Sequence, residues 1–235
     1  MILEGAKAPN FLMKFALLPD LFDLNSAELN VLYEYYFTKQ FLKHGEPLRK
    51  WWLDEMDTKV AKVDQVHQIC PETQKLITKL NKNCFPEHFS SEVLQLWASS
   101  VIFIPPDNGQ NTCSVNFHRD SDIVDFITGE HFSFSLALTP IEAYLSDTLM
   151  SGFNAFDNIC PDSVMLDQTE RVEIKQGQSL VVNKEIFKGF GRNTTNQHQI
   201  LLNFYVRGID SEVLVQKNSY GLTNRITNFS ISPIL

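Results

Sequence analysis

The sequence predicts a mainly-β fold, a barrel or sandwich of short strands with a helical flank packed against it. Two patterns predict it. Over the first 98 residues apolar side chains recur every three or four positions, the repeat of a helix face. After about residue 100 they alternate singly with polar ones, in short runs punctuated by Gly, Pro and Asn. Helices followed by a series of strands pack as layers around one core rather than as an alternating parallel sheet. The 235 residues, 43% hydrophobic and 20% charged, suffice for one well-packed domain of ordinary globular composition.

The elements follow in order. Asn25 with Glu28 three positions on is a capping box, in which the Asn side chain accepts an orphan amide at the helix start. Leu29, Leu32, Tyr33, Tyr36, Phe37 and Phe41 then form one apolar face, and this helix is expected to end near His44-Gly45 with Pro47 beyond. Val60, Val63, Val66 and Cys70 suggest a second helical stretch stopping at Pro71. Leu76, Ile77 and Leu80 suggest a third, and residues 91–98, with Val93, Leu94, Leu96 and Trp97, a short fourth.

The period then changes. Residues 101–104 are a β-branched run halted by Pro105-Pro106 and the turn-forming Asp107-Asn108-Gly109. Residues 113–117 read as a short strand. Over 131–139, Phe132, Phe134, Leu136 and Leu138 alternate with Ser133, Ser135, Ala137 and Thr139, the period of a strand. Further strands are expected at 148–156, 171–175, 179–183 and 199–207, with Gly177, Gly189, the polar stretch 193–197 and Gly208 between them. The expected organisation is a helical flank at 1–98, a β core at 99–208 and a polar, partly ordered tail at 209–235, all in one structural domain.

A formal charge of −8 argues against a broad phosphate-binding surface, so nucleic acid is not an expected partner. No apolar run approaches the roughly 18 residues that span a bilayer, and the start does not read as a secretory signal. Cys70, Cys84, Cys113 and Cys160 form no C-x-x-C pair and read as reduced, mostly buried thiols. A cytoplasmic protein acting on a small molecule, without membrane partners, is the expectation from these features.

The chemistry centres on Ser114-Val115-Asn116-Phe117-His118-Arg119-Asp120 at a predicted strand end. Residues two apart on a strand share a face, so Asn116, His118 and Asp120 converge. An imidazole and a carboxylate side by side are two of the three ligands of a non-haem Fe(II) facial triad. The same pair also suits a strand end whose side chains satisfy loop backbone.

About 70 residues later come Gln176-Gly177-Gln178-Ser179-Leu180-Val181-Val182-Asn183, then Phe187-Lys188-Gly189-Phe190-Gly191-Arg192-Asn193-Thr194-Thr195, then Gln199-Ile200-Leu201-Leu202-Asn203-Phe204. Together with the His-x-Asp, residues 95–208 resemble the Fe(II)/2-oxoglutarate-dependent oxygenases. The closer resemblance is to the phytanoyl-CoA hydroxylase-like branch and its small bacterial members associated with sugar and aminoglycoside pathways. It implies a double-stranded β-helix, the jelly-roll or cupin-like core, backed by the N-terminal helices. It implies His118 and Asp120 as metal ligands, and Fe(II) and 2-oxoglutarate as cofactors. The activity implied is that of a dioxygenase, an oxidoreductase acting on a small polar metabolite, as in carbohydrate or nucleotide-sugar biosynthesis. In such a reaction 2-oxoglutarate chelates the iron opposite His118 and Asp120 and is oxidatively decarboxylated as the substrate is oxidised.

The chain departs from the family at two of its signature positions. Lys188 stands where the distal His precedes Gly, and Gln199 where an Arg pairs with the far carboxylate of 2-oxoglutarate. An ammonium has no lone pair for a metal, and Gln lacks the bidentate charge-assisted pairing of Arg. His198 and His131 are the other candidate third ligands. The alternative reading is a divergent, metal-independent member whose cavity binds a small anionic ligand or a partner. Lys188 is then the acid–base residue and, with Arg192, an anion clamp, while Asn116, Gln199 and Asn203 contact the ligand. Lys188 also suits a solvated turn, and Arg192 a surface charge. A cupin-type sugar isomerase shares the architecture but needs more inward histidines. On the last strand Ile200, Leu202, Phe204 and Val206 are core; Gln199, Leu201, Asn203 and Tyr205 face either a polar cavity or solvent.

Overall fold

The computed structural model describes residues 15–40, 50–51, 61–64, 66, 70–80, 93–107, 115–120, 131–147, 169–209 and 229–231. The strands are β1 (Phe15–Leu18), β2 (Lys50–Trp51), β3 (Ala61–Asp64), β4 (Val93–Ile104), β5 (Val115–His118) and β6 (His131–Ala137). After them come β7 (Ile141–Ser146), β8 (Glu170–Ile174), β9 (Ser179–Asn183), β10 (Phe187–Phe190), β11 (Gln199–Ile209) and β12 (Phe229–Ile231). Two helices, α1 (Ser26–Phe37) and α2 (Pro71–Thr78), precede β4.

Among these elements the large sheet has the order β1-β9-β6-β11-β4-β3-β2, with β12 also on β4, and the small sheet the order β5-β10-β7-β8. From β4 to β11 the chain crosses repeatedly between the two sheets, and every pairing is antiparallel. That winding is the jelly-roll, or double-stranded β-helix.

Strand periodicity divides each large-sheet strand between two cores. Ile200, Leu202, Phe204 and Val206 of β11 join Phe132, Phe134 and Leu136 of β6 against Leu29, Leu32 and Tyr36 of α1. Phe22 packs on Phe204 with ring centroids 5.3 Å apart. The opposite phase, with Leu201, Ile102, Ile104, Leu180 and Val182, meets Ile141, Ala143, Leu145, Val172 and Ile174 of the small sheet. Both faces of β6 are therefore buried, and the inner face of β11 turns toward the small sheet rather than to solvent.

Helix α1 starts where its capping box predicts. Asn25 Oδ1 accepts from the Ala27 and Glu28 amides, and Glu28 accepts from the Asn25 amide at 3.1 Å. Lys79 and the Asn25 amide hold the Glu28 carboxyl below its ordinary pKa. The helix ends at Phe37, earlier than the sequence pattern suggests. Thr38 caps the Glu34 carbonyl through both its amide and its hydroxyl, and Lys39 turns the chain at φ 57°. Phe37 is consequently exposed and stacks on Tyr33, whereas Tyr35 takes a buried place on the face.

Pro71 opens α2, because a missing N–H costs nothing at the first helical position, and just before it Val66 is helical, with the Cys70 amide donating to its carbonyl at 2.9 Å. The flank is also less helical than expected. Residues 61–64 of the supposed second helix form β3, and residues 93–98 of the supposed fourth form the first half of β4. Val and Leu runs short of a full turn-repeat do not separate helix from buried strand, and pairing with β11 decides for strand. In the tail, residues 229–231 pair with β4. The strand expected at 148–156 lies outside the described residues, as do Cys84, Cys113 and Cys160. Cys70 is a buried free thiol whose pKa burial raises.

Candidate functional site

The space between the sheets is apolar at one end and polar at the other. At the polar end the inward phases of the strands carry His131, Ser133 and Ser135 on β6, Asn203 and Tyr205 on β11, and Ser100 on β4. Ser133 lies opposite Tyr205, and Asn203 lies between Ser135 and Ser100. Ser135 Oγ donates to Asn203 Oδ1 at 2.7 Å.

Lys188 extends into this end from β10. Its strand neighbour across the small sheet is His118, in register through the β5–β10 pairing. Its Nζ donates to Asp120 Oδ2 at 2.8 Å and to Ser133 Oγ at 2.5 Å, and lies 5.6 Å from the centroid of the Tyr205 ring. Lys188 and Asp120 are each only 2% exposed. Tyr205 in turn stacks with His131 at 6.2 Å. Arg119 lies 4.6 Å over the Phe187 ring, a cation–π contact that ties the end of β5 to β10. A buried charge persists only when paired and hydrogen-bonded, and Lys188 is both.

The sequence-based candidates thus divide. Asp120, Lys188 and Asn203 share the polar end. His118 and Asn116 are described by their backbone places on β5; their side chains lie outside the described residues. Gln199 sits at the far end of β11, opposite Ile104, with its Nε2 donating to the Pro140 carbonyl at 2.8 Å. Arg192 lies in the β10–β11 loop, ion-paired with Asp107 and 42% exposed. It lines a hollow on the outer face of the small sheet. Lys188 is a buried ion-pair member rather than a solvated turn residue.

The sequence pattern gives Ser133 no site role, His131 only that of a candidate third ligand, and Tyr205 only a place on the polar phase of the last strand. Their signal is the polar phase of the β6 alternation, which reads as functional only once both sheet faces are known to be buried.

Iron and 2-oxoglutarate do not fit these residues well. Where the resemblance implies a third ligand, Lys188 presents an ammonium, and it is bound to Asp120, the carboxylate that the resemblance implies as a ligand. Among the described residues no group of three or more His, Cys, Asp or Glu could hold an ion. Gln199, where the resemblance implies a co-substrate arginine, spends its amide donor on Pro140 and keeps a buried acceptor, Oε1, which repels a carboxylate.

No protein-family model matches the chain, and no curated protein sequence does. Solved structures do match. The non-haem α-ketoglutarate-dependent carbocyclase SnoK of nogalamycin biosynthesis superposes with a TM-score of 0.57 at 15% identity, over 83% of this chain and 80% of that one. EctD from S. alaskensis gives 0.58 at 13% identity, over 83% and 73%. HygX from Streptomyces hygroscopicus, with nickel and 2-oxoglutarate bound, gives 0.55 at 13% identity, over 83% and 82%. The chain shares with these structures the fold of a double-stranded β-helix.

Proposed function

We propose that this protein uses the oxygenase fold without iron, and binds a small polar or anionic molecule at the polar end of the space between its sheets. The supporting observation is the buried Lys188–Asp120 pair. In the resembling families this carboxylate is a metal ligand; here its partner is a cation at 2.8 Å. A lysine ammonium offers a metal no lone pair and repels a divalent ion beside it. Ser133, Ser135, Asn203 and Tyr205 surround the pair with hydroxyl and amide groups, which suit an oxygen-rich ligand.

Anaerobic loading with Fe(II) and 2-oxoglutarate, followed by metal analysis and assay of succinate, tests this. The expected wild-type result is no stoichiometric iron and no succinate. Iron uptake with succinate release would sink the proposal. It would support a second reading, an active oxygenase of a small polar metabolite such as a carbohydrate. That reading draws on the backbone arrangement alone, with His118 opposite Lys188 and Asp120 two residues on. Lys188→His sharpens the choice: a gain of iron and turnover over an inert wild type marks an oxygenase site lost by one substitution.

A further inference from the structure

The hollow on the outer face of the small sheet is built as a site. It encloses about 510 Å³, within the range of about 300–1,000 Å³ typical of small-molecule pockets. Its floor is the outward phase of β7 and β8, since Ile141, Ala143 and Val172 face the inter-sheet core. Its wall is the loop from β10 to β11.

Both are held in place. The Gly191 amide donates to the Glu142 carbonyl at 2.8 Å, and Glu142 and Tyr144 lie directly over Gly191. A Cβ there would stand 3.1 Å from Glu142 Cβ and 3.1 Å from Tyr144 Cε2, tighter than side chains normally pack. Asn193, fully buried, pins the loop. Its Nδ2 donates to the Ile104 and Gln197 carbonyls at 2.8 and 2.7 Å, and its Oδ1 accepts from the Thr195 amide and hydroxyl. The polar groups are oriented in advance as well. Arg171 pairs with Glu142, Tyr144 Oη donates to Glu142 Oε2 at 3.2 Å, and Arg192 pairs with Asp107. Preorganised polar groups bind at smaller entropic cost than mobile ones.

The charge of the lining indicates the ligand. Arg171 and Arg192 are balanced by Glu142 and Glu173, and Arg192 is further neutralised by Asp107. An isolated phosphate or carboxylate finds no surplus positive charge. A planar guanidinium–carboxylate pair instead offers donors and acceptors side by side, spaced for adjacent hydroxyls. The Tyr144 ring adds an apolar surface for a carbon face. We propose that this hollow is a second binding site, separate from the Lys188 centre, for a neutral polyhydroxylated ring such as a monosaccharide or cyclitol.

The test is titration of the full chain with D-glucose, D-galactose, N-acetyl-D-glucosamine and myo-inositol, followed by NMR, with glucose 6-phosphate as the charged comparison. At least one neutral compound is expected to bind saturably, in the millimolar range. Arg171→Ala, at an exposed side chain, and Gly191→Ala are each expected to weaken it by about tenfold, the loss of one to two hydrogen bonds. If Gly191→Ala does not fold, Arg171→Ala and Tyr144→Ala carry the test, with circular dichroism confirming the fold. Absence of saturable binding up to about 50 mM, a concentration that detects even very weak sites, would overturn the proposal. So would tighter binding of glucose 6-phosphate than of every neutral compound, or binding indifferent to Arg171→Ala. None of these outcomes depends on iron, so failure here is distinct from failure of the Lys188 reading.

Discussion

The two ends of the inter-sheet space are built from the same strands yet obey opposite rules. At one end Ile102, Ile104, Ala137 and Leu201 close against Ile141 and Ile174, with the Gln199 amide beside them. At the other, the same phase of β4, β6 and β11 carries Ser100, Ser133, Ser135 and Asn203 beside Leu180 and Val182 of β9, with a buried Lys–Asp pair among them. The apolar end stabilises in proportion to its area. The polar end does not, because desolvating two charges roughly cancels their attraction. A sheet that could have been filled with Val and Leu throughout keeps hydroxyls and an ion pair at one end, where stability alone does not call for them.

Five variants sharpen or break this contrast, from the largest expected effect downwards. Lys188→Ala strands the Asp120 carboxylate in a dry environment and should cost about 3–5 kcal/mol in urea unfolding. The double variant Lys188→Met, Asp120→Leu removes both charges and should recover that loss or exceed wild-type stability by about 1–4 kcal/mol. If the double variant is as unstable as the single one, the pair is structural and the contrast fails.

At the apolar end, Leu201→Ala should cost about 2–5 kcal/mol by leaving a cavity, while leaving ligand binding at the Lys188 centre unchanged. Asn193→Ala frees two carbonyls and the Thr195 amide, and about 1–3 kcal/mol should be lost in the same unfolding measurement. The smallest effect is at Glu28. Its folded pKa is depressed by Lys79 and the Asn25 amide, so its contribution is fully present above the unfolded carboxylate pKa and disappears as pH falls through the folded value. Wild type should therefore lose its advantage over Glu28→Gln progressively on acidification, and a constant difference down to strongly acid pH would contradict the capping geometry.

How much of this was legible beforehand depended on the kind of signal. The alternation at 131–139 and at 199–207 gave β6 and β11 with the correct faces, because a period of two survives whatever packs against it. The capping box gave the start of α1, since the Asn25 and Glu28 contacts are local. The end of α1 was not legible. It depends on Thr38 and a left-handed Lys39, which carry no strong residue preference. β10 is only Phe187–Phe190 and holds a lysine and a glycine, so no hydrophobic pattern betrays it. β7 did offer an alternation, Ile141, Ala143 and Leu145 against Glu142 and Tyr144, that escaped notice beside the stronger β6 signal. At the site, Lys188 could be placed by resemblance, but its bond to Ser133 could not. That contact joins residues from two sheets and exists only once the jelly-roll has closed.

The pairing of β1 with β9 bears on how the chain reaches this state. Phe15–Leu18 zips onto Ser179–Asn183, and β12 returns to the start of β4. β1 must therefore wait for β9, a partner that emerges from the ribosome long after it. Contacts so distant in sequence make folding slow, and until they form, the edges of β9 and β4 are open to pairing with other chains. Removing the first eighteen residues should thus lower the yield of soluble protein during expression more than it lowers the stability of what does fold.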